Sequence, residues 1–148
     1  MLDQAGVKYE LREYAVDESD LTAPHVAEAI GMPPEQVFKT LVVRGDRTGV
    51  LMACIPGNLE LDLKALAAAS GNKKVDLVPL KEVLGLTGYV RGGVSPLGPK
   101  KPYPVYLDET AEMWDAIAVS AGIRGRQVVV APGDLARVTG AQTCEIAK

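Results

Sequence analysis

Histidine is nearly absent from this chain. Its 148 residues include one, His25, which excludes a multi-histidine metal centre and leaves no Ser-His-Asp or Cys-His grouping to assemble. Cysteine is scarce as well. Cys54 and Cys144 are too few for a disulfide framework or a four-thiolate zinc site, so no metal is expected. Neither has a basic cluster beside it in sequence to lower its pKa, and both read as inert thiols. Aromatic residues make up 5%, with one Trp and one Phe, so the core must be built from Val, Leu, Ile and Ala. No run of about 18 apolar residues exists to span a membrane. The opening MLDQAGVKYELREY lacks the basic start and apolar stretch of a secretion signal, and the expected compartment is the cytoplasm. The phosphate loops GxxxxGK[ST] and GxGxxG are both missing.

What remains is an ordinary globular composition: 47% hydrophobic, 24% charged, mean hydropathy +0.08. The length fits one domain over residues 1–148, with no repeat and no linker. The net charge of −3 is unevenly spread. Residues 1–38 hold eight acids and two bases, and residues 39–148 hold eleven acids and fourteen bases. A protein that coats duplex nucleic acid is usually strongly basic, so DNA is not an expected partner. A local pocket for a few phosphates is compatible with this balance.

Val7–Tyr14 alternates apolar and polar residues, predicting a half-buried strand. Thr22 is placed to cap a helix through Pro24, Val26, Ala27 and Ile30 that stops at Gly31. Val37–Val43 and Val50–Ile55 read as strands joined by a hairpin turn over Arg44–Gly49. Asp62 is placed to cap a helix closed by Gly71. A short strand near Val75–Leu77 and a short helix over Leu80–Leu84 follow. Gly85–Pro104 carries too many glycines and prolines for a helix or a central strand. Beyond it, strands are predicted at Val105–Leu107, Ala116–Ser120, Gln127–Ala131 and Thr143–Ala147, with a helix from Pro132 or Asp134 to Val138. This pattern is mixed α/β, with hairpins and crossovers, and not a strict βαβ alternation.

The loop Thr87–Gly98 is the strongest local signal for chemistry. Its paired Gly92 and Gly93 let backbone approach a ligand and aim N–H groups at it, although Gly-Gly and Ser-Pro also serve as plain loop punctuation. Lys39 interrupts the apolar run VFKTLVV. It reads either as the outward residue of a one-sided strand or as a cation directed into a pocket. Val119–Arg126 ends a strand in small residues and two arginines. It reads as a solvated hairpin tip or as a second pocket wall with Ser120 as a hydroxyl donor. Asp108-Glu109 is a weak general acid–base pair in a cap-like setting. The residues outline a pocket without a nucleophile–base pair.

Five stretches occur in order over nearly the whole chain: VFKTLVV, NLELDLKALAAASGNKKV, TGYVRGGVSPLGPKK, AVSAGIRG and VVVAPGDLARV. This arrangement resembles the YbaK-type members of the prolyl-tRNA editing domain family, the free-standing Cys-tRNA(Pro) deacylases. The Gly-Gly-x-Ser-Pro-Leu-Gly loop after Gly-Tyr and the mid-strand lysine are its most specific pieces. The resemblance implies a mixed α/β domain with a curved mixed β-sheet, a partial barrel, flanked by helices. It implies hydrolysis in trans of amino acids wrongly attached to tRNA, cysteine on proline tRNA foremost, with no cofactor. Lys39 would hold the terminal adenosine end and Gly92, with Gly93, would line the reaction centre. Tyr14, Arg91, Ser95, Ser120 and Arg124 would bind substrate, with Lys100 and Lys101 adding positive charge. The partners implied are the acceptor 3′ end of mischarged tRNA and prolyl-tRNA synthetase.

The chain departs from the family pattern at Gln127, where relatives carry aspartate, and at Ala121 and Ile123. In this family the substrate cysteine is thought to attack its own ester, which suits a pocket lacking a nucleophile. Deacylation of Ala-tRNA(Pro) or Cys-tRNA(Cys) and non-catalytic binding of a tRNA 3′ end stand as alternatives. All these readings require Lys39 and Gly92 to face one hollow.

Overall fold

The unbroken apolar run Val50–Ile55 lies in β3 (Gly49–Pro56), the central strand of a five-stranded sheet. The computed structural model describes residues 5–148. Part of the opening segment read above as no export signal lies outside them. Strand alternation sends Met52 and Cys54 to one side of the sheet and Leu51, Ala53 and Ile55 to the other. Met52 and Cys54 join Phe38, Leu107, Ile117 and Val130 in one core. Leu51, Ala53 and Ile55 pack with Val43, Leu66, Tyr106 and Ile146 in a second. Every residue from Leu51 to Ile55 is therefore fully buried, and burial of both faces is why this strand reads as continuous apolar sequence.

β2 (Phe38–Gly45) pairs antiparallel with β3 across the predicted hairpin. β4 (Val75–Leu77) pairs antiparallel with the far end of β2, from Val43 to Gly45. β5 (Val105–Asp108) and β8 (Gln142–Cys144) extend the other side in parallel, completing the order β4-β2-β3-β5-β8. A second sheet holds β1 (Tyr9–Glu13), β7 (Arg126–Val130) and β6 (Ile117–Ser120) in the order β1-β7-β6, all antiparallel. The mixed α/β reading holds, with the strands divided between two sheets that share a core and are also linked by a parallel bridge, Val37 to Ala118. Four helices accompany them among the described residues: α1 (Ala23–Ile30), α2 (Leu63–Ser70), α3 (Leu80–Thr87) and α4 (Pro132–Thr139). None is long and apolar enough to cross a membrane.

The structure departs from sequence expectation in four places. β1 is shorter than Val7–Tyr14 and Leu11 is exposed, because the strand lies at a sheet edge with β7 as its one partner. Thr22 occupies the N-cap position of α1 without capping it, since its hydroxyl donates to Asp20 Oδ1 at 2.5 Å. α3 continues past Leu84 to Thr87. Gly85 faces open space there, and Thr87 Oγ1 donates to Val83 O at 2.8 Å, closing the last turn. β8 stops at Cys144 because the buried Asp108 carboxylate draws in two amides just beyond it, accepting Ile146 N and Ala147 N, each at 2.9 Å. By contrast, Asp62 caps α2 as expected, accepting Ala65 N at 3.1 Å.

Candidate active-site cleft

The parting of the two sheets makes the site. On the side away from β3, β2 meets β4 from Val43 onward, and the bridge at Val37 ties the other end to β6. The stretch between has no strand on that edge. Val42 O accepts Val78 N at 2.9 Å across it, so the two-residue alternation of main-chain groups turns the N–H and C=O of Thr40 toward the same open edge. A cleft of about 640 Å³ runs along it, a size suited to a small ligand.

Lys39 and Gly92 both line this cleft. Lys39 is half-buried on β2, and its Nζ donates to Gly57 O at 3.4 Å. Burial pushes the ammonium pKa below its ordinary value, an effect opposed by the negative charge of Glu60. Gly57 also lines the cleft and was not singled out from the sequence, although its place at the end of an apolar strand, in Pro56-Gly57-Asn58, is a turn signal. A side-chain carbon at Gly57 would sit 2.5 Å from Ala23 Cβ and 2.9 Å from Val37 O. Glycine there is what lets the start of α1 close against the strand that carries Lys39.

Gly92 has φ +83°, a left-handed conformation that other residues rarely adopt. Its loop is pinned from the β6–β7 turn, where Arg124 Nε donates to Arg91 O at 2.7 Å. Tyr89 donates its hydroxyl to Leu97 O and lays its ring against Gly122. Among the described residues the Gly92 N–H has no acceptor, whereas Gly93 N–H closes a turn onto Val90 O at 2.9 Å. The pair therefore presents one free amide, not the two expected.

The other predicted residues separate. Arg91 and Ser120 line the cleft, and Ser120 Oγ accepts Gly122 N at 3.1 Å, which leaves its O–H free to donate. Arg124 acts on the glycine loop from behind. Ser95 is fully buried and outside the lining; its Oγ accepts Leu97 N at 3.1 Å and shapes the loop. Tyr14 packs beside Val26 and Val129, also outside the lining. Lys100 and Lys101 are exposed elsewhere. Gln127 is paired across the strands with Ser120 and faces the cleft, and its Oε1 is buried with no hydrogen-bond partner. Among the described residues, no His, Cys, Asp or Glu lines the cleft. Burial pushes the Cys54 thiol up to about 11, with a weaker opposing bond from Thr40, so it holds its proton at neutral pH.

The sequence matches the model of the aminoacyl-tRNA editing domain over residues 17–138. It is 50% identical over 146 residues, 99% of this chain and 89% of the relative, to EbsC of Enterococcus faecalis, named as a candidate Cys-tRNA(Pro)/Cys-tRNA(Cys) deacylase. It is 34% identical over 80 residues to the proline–tRNA ligase of Thermosipho africanus, covering 54% of this chain and 14% of the ligase. Among solved structures, a candidate trans-editing enzyme for prolyl tRNA synthetase superposes with a TM-score of 0.83 at 29% identity, over 95% of this chain and 87% of the other.

Proposed function

This chain belongs to the aminoacyl-tRNA editing domain family, and from that premise we propose that it is a free-standing deacylase that clears cysteine from Cys-tRNA(Pro) in the cytoplasm. We read residues 1–148 as one editing domain. The observation that carries the mechanism is a cleft with a cation and a free amide but no nucleophile–base pair. Ester hydrolysis needs a nucleophile and a home for the developing oxyanion. In this reading the substrate supplies the nucleophile.

The cysteinyl sulfur attacks its own carbonyl carbon and forms a cyclic thioester. The C–O bond to the ribose breaks, and the thiol proton ends on the released hydroxyl. Water then opens the thioester to free cysteine. Holding thiol and carbonyl in one reactive geometry can supply several kcal/mol of the barrier. Lys39 and Arg91 hold the phosphate and ribose side of the terminal adenosine, and Gly92 N–H, with Thr40 N–H at the open strand edge, faces the oxyanion. Ser120 donates to the same end of the substrate.

Cysteine on its cognate tRNA(Cys) is the second reading, favoured by the name of the half-identical relative. Prolyl-tRNA synthetase is the partner proposed to deliver the tRNA. Deacylation rates on Cys-tRNA(Pro), Ser-tRNA(Pro), Ala-tRNA(Pro) and Cys-tRNA(Cys), measured under multiple turnover, test these proposals together. The thiol mechanism expects Cys-tRNA(Pro) to exceed Ser-tRNA(Pro) by at least a hundredfold. Equal rates on the two overturn it, and binding without turnover on any of them makes the protein a tRNA 3′-end binder.

A further inference from the structure

The cleft has two unlike ends. The stretch that lines it from Val37 through the first five residues of β2 to Val42 spans about 16 Å of extended chain. At the Val37 end it meets the start of α1, preceded by Asp17, Glu18 and Asp20. Hydrogen bonds from Ser19 and Thr22 hold the Asp17 and Asp20 carboxyls below the ordinary range, and Arg91 and Arg124 sit at the same end, where a side-chain carbon at Gly92 would lie 3.5 Å from Leu21 and 3.4 Å from Arg124 Nε. At the Val42 end it meets the β4–α3 connection. There Leu77, Leu80 and Leu84 are 54%, 57% and 56% exposed. Leu77 and Leu80 form the cleft rim, and the exposed Leu84 lies one helical turn beyond Leu80 on α3, flanking the buried Val83 and Thr87.

The charges around these leucines lean positive. Lys81 and Lys73 have no ion-pair partner among the described residues, while Lys74 pairs with Asp76 at 3.8 Å and Arg44 with Glu82 at 3.1 Å. Asp46 is the remaining acid, engaged with the amides of Lys73 and Lys74.

We propose that the single-stranded RNA 5′ to the terminal nucleotide leaves the cleft across the β4–α3 rim, laying an unpaired base on the Leu77–Leu80–Leu84 shelf with its phosphates toward Lys81 and Lys73. The inference rests on the proposed editing function, which puts the terminal nucleotide in the cleft. Unpaired bases offer apolar faces to such a shelf. Leu77 and Leu80 belong to the cleft rim and to the shelf alike, and Lys81, next to Leu80 in the chain, supplies positive charge for the phosphodiester.

Leu84→Glu, outside the cleft, and Lys81→Glu are assayed on Cys-tRNA(Pro) and on 3′-cysteinyl-adenosine, which ends where the shelf begins. The expected result is a roughly tenfold loss of kcat/KM on tRNA for Leu84→Glu, carried by KM, and a smaller loss with a shallower salt dependence for Lys81→Glu. Hydrolysis of the adenosine ester stays within twofold of wild type. Unchanged rates on tRNA overturn the proposal, as does an equal loss on both substrates. A loss that emerges only with prolyl-tRNA synthetase present overturns it in favour of a protein surface. If wild type hydrolyses neither substrate, the functional reading itself fails, a result distinct from these.

Discussion

Two buried carboxamides in this molecule have opposite fates. Asn72, 7% exposed, uses all four of its hydrogen-bonding positions. Its Oδ1 accepts Arg47 N at 2.9 Å and Thr48 N at 3.0 Å, and its Nδ2 donates to Thr48 Oγ1 at 2.9 Å and Ser70 Oγ at 2.8 Å. It ties the β2–β3 hairpin tip to the end of α2, and Gly45 is glycine because a side chain there would lie within 2.4 Å of the amide. Gln127, 5% exposed, lines the cleft with its Oε1 unpartnered. The same chemical group is closed off by protein at the hairpin and left open at the cleft. Nearby, Gly92 N–H has no acceptor among the described residues, Thr40 turns its main-chain groups to the open strand edge, and Lys39 has one long bond. Buried polar groups are normally satisfied, so a cluster that is not marks a place where a ligand completes the bonding.

Lys39 gives the largest test of this contrast. Lys39→Met keeps the length and apolar stem of the side chain while removing its charge. We expect at least a hundredfold loss of kcat/KM on Cys-tRNA(Pro), about 2.7 kcal/mol of transition-state binding, with no fall in thermal stability. Wild-type deacylation should follow the charged form of Lys39. It holds at pH below the lysine's pKa in the folded protein and falls as pH rises through it, at lower pH than an ordinary lysine because burial depresses that pKa. Over the interval up to 10.5 the unfolded chain binds more protons, so this group's contribution to stability rises with pH, and Lys39→Met flattens that slope. A variant that loses stability as much as activity would make Lys39 a structural residue.

Asn72 is the converse. Asn72→Ala breaks the part-buried bonds from the amides of Arg47 and Thr48 and leaves two hydroxyls without a donor, at a cost of about 2–3 kcal/mol of folding stability. Thermal unfolding should show a midpoint lower by roughly 4–12 °C, while kcat/KM of the folded fraction stays within twofold of wild type. Loss of activity without loss of stability would join the hairpin tip to the site and erase the distinction between the two regions.

Much of the fold is legible in sequence because its signals are local. The hairpin, the Asp62 cap and the apolar β3 run each follow from neighbouring residues. The division of strands into two sheets does not, since it depends on β2 losing its partner between β4 and β6, a relation among segments far apart in the chain. The site divides in the same way. Lys39 and the glycine loop stand out as sequence, but alternation alone does not show which way the lysine faces. Ser95 looks like a binding residue in the loop motif and is instead a buried acceptor for Leu97 N. Gly57 carries no more than a turn signal, and its requirement becomes visible when Ala23 is seen against it. Gln127 is marked in sequence as a departure from the family, while its unpaired oxygen belongs to the structure alone.

The smallest effect is the most direct test of the contrast. Gln127→Met replaces a carboxamide by an apolar side chain of similar length, removing a buried acceptor that has no partner. Where a buried polar group is satisfied, such a change destabilises; where it is not, the desolvation cost disappears with the group. We expect stability to rise by about 1 kcal/mol and the unfolding midpoint by roughly 2–4 °C. That sign is opposite to the effect of removing Asn72, although both side chains are amides of nearly equal burial. A fall in the midpoint would mean that Oε1 is bonded in the folded protein, and the open bonding that distinguishes the cleft would then rest on Thr40, Gly92 and Lys39 alone.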